Sequence, residues 1–161
     1  MSVRHSILTL LYSRPRHGYD IKISFDEMVH HQWNLNVGQI YTTLDRLVRD
    51  GLVEPLNSEH GEKKEYQITQ KGREELYQWL IGPVERSLLK DEFYFKLLCA
   101  KQIQFHQEEE MIRKQKEMIL RNMLQMRALR AQLDPVEDQA MILLVEGAIL
   151  HLEADLKWLE L

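Results

Sequence analysis

Gln39, Thr42, Thr43 and Arg46 stand three and four residues apart, a spacing that gathers side chains on one face of a helix. Their chemistry suits the edges of DNA bases. Gln pairs bidentately with adenine, Arg with guanine, and a Thr methyl touches the methyl of thymine. Tyr41, near the start of the same helix, can donate its hydroxyl to a phosphate that the helix N-terminus also attracts. Further on, His60-Gly61-Glu62-Lys63-Lys64 joins a glycine that allows close approach to cations that suit a DNA backbone. Glu59 and Glu62 oppose those cations, so this tip is expected to add only modest affinity.

Enzymatic chemistry has no comparable set of residues. No Ser/His/Asp or Cys/His arrangement lies near a strand-to-helix turn, and there is no Gly-rich phosphate loop. No catalysis and no cofactor are therefore expected. Cys99 sits among apolar helical neighbours and reads as buried filler. His30 and His31 are adjacent and would point about 100° apart on a helix, so no metal site is expected. Trp33, Trp79 and Trp158 have two readings, plain core or the lining of a pocket for a small aromatic effector.

The elements that must hold the reading face follow from periodicity and punctuation. Val3, Ile7, Leu10 and Leu11 predict a helix over 2–12, which Pro15 and Gly18 interrupt. A second helix is predicted from Gly18 to Val29, with Tyr19, Ile23 and Met28 turned inward. Asn36-Val37-Gly38-Gln39 reads as a capping box, Ile40, Leu44, Leu47 and Val48 as one apolar stripe, and Gly51 as a left-handed stop. Leu52–Leu56 and Lys63–Ile68 predict a two-stranded ribbon, with Pro55 tolerated because both strands are edges. Thr69 caps a fourth helix to about Leu80, with Leu76, Tyr77 and Leu80 inward, and Gly82-Pro83 ends it.

The remaining residues are helical in pattern. Asp91 opens a short apolar helix, and Phe105, Ile112, Ile119, Met126 and Leu133 repeat every seven residues along a longer one. Asp134-Pro135 predicts a final helix over 135–160 with proline at its first position. That helix carries two apolar stripes, one through Leu143, Gly147 and Leu150, the other through Val145, Ile149 and Leu152. A helix apolar on so much of its girth needs cover from more than one side, which predicts a symmetric dimer.

The predicted fold class is mainly α. Residues 1–82 form an N-terminal winged helix-turn-helix and residues 83–161 a helical dimerisation domain. The net charge of −4 over 161 residues means that any DNA contact depends on local placement of basic groups. One cysteine, no membrane-length apolar run and no secretory leader before Arg14 predict a cytoplasmic protein with no membrane partner.

The residues also resemble the PadR family of transcriptional regulators. Arg4-His5-Ser6-Ile7-Leu8 and His17-Gly18-Tyr19-Asp20-Ile21 look like its opening signatures, and Trp33, Gly38, Tyr41, Leu44, Leu47, Gly51 and Leu52 fall at its characteristic positions. Lys64, Tyr66, Thr69, Gly72 and Arg73 resemble its wing-to-helix segment, and Leu89–Lys96 the start of its long C-terminal module. The resemblance implies a homodimer on a palindromic double-stranded operator, usually a repressor released by a stress signal or by a small molecule such as a phenolic acid, with activators also known. It further implies that Tyr19, Tyr41 and Lys64 hold the DNA backbone. Two positions depart from the pattern, Thr42 where proline is common and Glu65 where an aromatic is common.

Overall fold

The computed structural model describes residues 2–56, 64–85 and 91–161, which divide into two compact units, Met1–Val84 and Glu85–Leu161. The first runs α1 (Val3–Leu11), β1 (Arg16–His17), α2 (Gly18–Met28), α3 (Val37–Arg49), β2 (Val53–Leu56), β3 (Glu65–Ile68) and α4 (Gln70–Ile81). The strands make one antiparallel sheet in the order β1-β3-β2, with Arg16 opposite Tyr66 and Pro55 opposite Tyr66 on the other side. The expected two-stranded wing is thus three-stranded, because the residues after Pro15 extend and pair with β3.

The core of this unit explains why α3 keeps one face free. Ile40, Leu44 and Leu47 are fully buried against Ile7, Leu8 and Leu11 of α1 and Ile21 and Phe25 of α2. Burying each such side chain contributes about 1.5–3 kcal/mol, so the stripe fixes the rotation of the helix. The inward residues of α2 differ from the expectation. Ile21, Phe25 and Val29 are buried, while Tyr19, Ile23 and Met28 are exposed. The helix starts at Gly18, so its buried residues follow from a phase that the scattered apolar positions do not reveal. In α4, Leu76 is buried but Tyr77 and Leu80 face outward, because only one side of that helix meets α1.

The chain turns sharply after α2. His30 and His31, just past the predicted helix end at Val29, have φ of 48° and 57°, in the left-handed region. Gly51, with φ of 72°, ends α3 in the left-handed conformation expected of it. Thr69 caps α4 by accepting the amide of Gly72 at 3.1 Å, and its own hydroxyl donates to the Gly51 carbonyl at 2.8 Å.

His5 joins α1 to α4. Its ring stacks on Trp79 at 4.5 Å and 4°, and its Nε2 lies 3.6 Å from a Glu75 carboxylate oxygen. Burial lowers the His5 pKa from 6.5; Glu75 opposes that shift and the Arg4 charge adds to it. The folded state therefore binds the proton less readily than the unfolded chain, so this stabilisation is complete well above 6.5 and is lost as pH falls through and below it. The melting temperature should drop between pH 7.5 and 5.5, and His5→Phe, which keeps the stack, should flatten that drop. An unchanged slope in the variant would remove His5 as its cause.

The second unit contains α5 (Glu92–Gln102), α6 (Glu108–Gln132) and α7 (Gln139–Trp158). Arg130 pairs with Glu146 at 2.9 Å and Arg127 with Glu153 at 3.7 Å, an order that sets α6 and α7 antiparallel. Leu133, Met141, Val145 and Ile149 are buried, with Met126 and Leu129 packed against them. Two expectations fail here. The last helix begins at Gln139 rather than Pro135, because Asp134 Oδ1 accepts the amides of Val136 and Glu137 and holds a separate turn. Cys99 is exposed rather than buried, since α5 presents much of its apolar surface outward, Phe95 and Leu98 included. Phe105 precedes α6, and Leu133 caps its C-terminal end. Among the described residues no helix is long and apolar enough to cross a membrane, and no cluster of metal ligands occurs.

Candidate nucleic-acid interface

The outward face of α3 is the candidate site, and its entry is fixed by the predicted capping box. Asn36 Oδ1 accepts the Gln39 amide at 2.8 Å, while the Asn36 amide donates to Gln39 Oε1 at 3.1 Å. This commits the Gln39 side-chain oxygen Oε1 to the cap and leaves its NH₂ group as the uncommitted donor. Thr43 is half-buried and its hydroxyl donates to the Gln39 carbonyl at 2.7 Å, so its methyl is the part left for contact. Thr42 and Arg46 are exposed. Counting about 100° per residue, Thr42 and Arg49 point almost directly away from the buried stripe, Asp45 and Arg46 lie within about 55° of that direction, and Thr43 stands at the flank.

Tyr41 is 43% exposed, and its ring covers Gly18 at the start of α2. A Cβ on Gly18 would stand 2.6 Å from Tyr41 Cε1 and 3.0 Å from its hydroxyl oxygen. The glycine therefore lets the Tyr41 hydroxyl sit beside the N-terminus of α2, close to exposed Tyr19. A hydroxyl next to a helix N-terminus suits an anionic oxygen. On the wing, Lys64 Nζ lies 5.7 Å from the centroid of the buried Tyr66 ring. His60 and Lys63 lie outside the described residues.

An open concavity of about 650 Å³ separates the N-terminus of α1 from α3, with Ser2, Val3 and Arg4 on one side and Gln39, Thr42, Thr43 and Arg46 on the other. Sequence reasoning did not place α1 here, because nothing in its periodicity tells which helix end lies beside α3. Arg4 is tied down, with Nη1 donating to Asp50 Oδ2 at 2.8 Å and Nη2 lying 3.7 Å from Glu75. The hydrogen bond from Arg4 holds the Asp50 carboxyl below its ordinary range.

The three tryptophans stand in separate surroundings. Trp79 stacks on His5, Trp158 meets Tyr94 at 4.2 Å in the second unit, and Trp33 is 40% exposed in the α2–α3 connection. Trp158 borders a small cleft, shared with Asp91, Tyr94 and Asp155.

Residues 7–78 match the model of the transcriptional regulator PadR-like family. This chain carries a PadR-like domain. The chain is 35% identical over 99 residues to the negative transcriptional regulator PadR of Bacillus subtilis, an alignment that covers 58% of this chain and 54% of that one. The chain spans about half the length of the curated relatives it matches. The crystal structure of B. subtilis PadR in complex with operator DNA superposes with a TM-score of 0.70 at 25% identity, over 98% of this chain and 94% of that one. That of the same regulator with p-coumaric acid gives 0.73 at 25% identity, over the same shares. The resemblance read from the sequence is thus met by a family of transcriptional regulators, not of enzymes, and by a fold that extends over both units.

Proposed function

We propose that this chain is a sequence-specific DNA-binding transcriptional regulator, a repressor that acts in the cytoplasm as a homodimer and releases its operator when a small aromatic effector binds. The observation that carries the reading is the capped α3, held by a fully buried stripe with Thr42 and Arg46 on its free face. The kinship with a negative regulator crystallised on operator DNA and on p-coumaric acid supports the same reading.

In this proposal residues 1–82 bind DNA and 83–161 dimerise. Gln39, Thr42, Thr43 and Arg46 face the bases, Tyr19 and Tyr41 hold phosphates, and His60, Lys63 and Lys64 of the wing reach the neighbouring backbone. The stripe of α7 that a second subunit would cover is open in the single chain, with Leu143 76% and Leu150 63% exposed. An isologous dimer places two reading heads about 10 bp or a multiple apart on a palindrome. Trp158, beside Tyr94, is the strongest of the three tryptophans as an effector reporter.

The test is a mobility-shift titration of the full chain on the DNA upstream of its own gene and its neighbour, across a salt series. Affinity should fall steeply with salt. Lys64→Ala should weaken binding to all duplexes alike and lower the salt slope by about one per subunit. Arg46→Ala should cost about 1–3 kcal/mol per half-site and relax the preference at one position. Binding insensitive to salt and to both changes would instead mark a protein-docking winged helix.

A further inference from the structure

We infer that Asp45 is a specificity-determining residue of the reading helix, which selects a cytosine in each half-site and penalises DNA that lacks it there. The inference rests on the DNA-binding reading above and deepens it. Asp45 is exposed and lies between Thr42 and Arg49 on the free face of α3, within about 50° of the direction opposite the buried stripe. Among the described residues no cation pairs with it. Arg49 turns instead to Asp50, with Nε 3.5 Å from Oδ1, and Arg4 also takes Asp50. The carboxylate lies close enough to the wing to help raise the pKa of the buried Tyr66 hydroxyl, after burial itself.

A carboxylate so placed has only one favourable role against a duplex. It accepts hydrogen bonds and donates none, so phosphates and the acceptor-rich guanine edge both repel it. Adenine offers one donor beside the N7 acceptor. Cytosine presents its N4 amino group without an adjacent acceptor, and that group is the one a carboxylate satisfies best. Asp45 therefore contributes little affinity on average, since it lowers binding to every duplex without the amino group. Its effect is on discrimination, which can be built by penalising wrong partners as well as by rewarding the right one. Gln39 and Thr43 are partly committed to hydrogen bonds within the helix, so a larger share of the discrimination falls on Arg46 and Asp45.

The experiment is selection of bound duplexes from a randomised pool by the full chain, followed by sequencing, for wild type, Asp45→Ala and Asp45→Asn. Wild type should enrich a palindrome with a fixed cytosine in each half. Asp45→Ala should lose about tenfold of the preference at that position, keep the others, and bind unselected duplex more tightly. Asp45→Asn, which can pair bidentately with adenine, should move the preference from cytosine to adenine. An identical enriched motif from all three proteins would overturn the inference while leaving the regulator reading intact. A wild type that enriches nothing would sink the regulator reading, and this inference with it. Loss of folded circular dichroism in both variants would show that Asp45 holds the helix rather than reads a base.

Discussion

Gly72→Ala should lower the melting temperature of the full chain by about 10 °C or more, the largest stability loss expected of so small a change. Gly72 lies in the first turn of α4, where a Cβ would stand 2.2 Å from the Leu52 carbonyl oxygen and 2.7 Å from Ile68 Cγ1. The first of these atoms is backbone and cannot swing aside. It also accepts the Thr69 amide at 3.0 Å, while the Thr69 hydroxyl is bound to the Gly51 carbonyl. An alanine can fit only if α4 moves outward and these bonds stretch. Overpacking of this kind costs about 3 kcal/mol or more, against a gain near 1 kcal/mol from alanine's better helix propensity. A domain of this size loses about 4–8 °C per kcal/mol, and its whole stability is on the order of 5–15 kcal/mol. Gly38→Ala is the control, since its Cβ would meet only the Asn36 Oδ1 at 3.3 Å. Calorimetry that finds Gly72→Ala within 2 °C of wild type would show that α4 is not seated on the Leu52 carbonyl.

That contact also shows what the sequence could reveal. The order of the elements was legible, because caps and stops are local chemistry. Asn36 with Gln39, Gly51, Thr69 and Asp91 each act within a few residues of themselves, and each acts as its type predicts. Helix phase was less legible. In α2 the exposed Tyr19, Ile23 and Met28 are as apolar as the buried Ile21, Phe25 and Val29, so only tertiary packing selects between them. Asp134-Pro135 misled because the same capping chemistry serves a turn as well as a helix. The two-residue β1 left no pattern at all, since its only strong pairing is with a strand some fifty residues away.

The site was legible as a set of residue types and less so as a geometry. Alternating three and four spacing put Thr42 and Arg46 on the free face correctly. It could not show that the capping box competes for Gln39, although both roles were visible separately. Asp45 was passed over because an acidic side chain is not expected on a surface that meets phosphates. The contact of Tyr41 with Gly18 was invisible to spacing, as the two come from different helices. The His-Gly-Tyr resemblance pointed to Gly18 without giving a reason for it.

That reason yields the second large effect. Gly18→Ala should weaken operator binding by about a hundredfold or more while leaving the melting temperature nearly unchanged. The new methyl would stand 2.6–2.7 Å from Tyr41 Cε1 and Cζ, atoms near the end of a half-exposed side chain that can rotate away. The fold therefore yields cheaply, but the Tyr41 hydroxyl leaves its place beside the N-terminus of α2. A hydrogen bond to a charged partner contributes about 1.5–3 kcal/mol, and a dimer loses two of them, so about a hundredfold is the low end of the expected loss. Tyr41→Ala removes the ring that the methyl would strike. If the mechanism is displacement of Tyr41, the double variant should bind no worse than Tyr41→Ala alone, a clear departure from additivity. Losses that simply add would mean that Gly18 serves DNA directly, through the approach of its own backbone to a phosphate, and that Tyr41 acts independently of it.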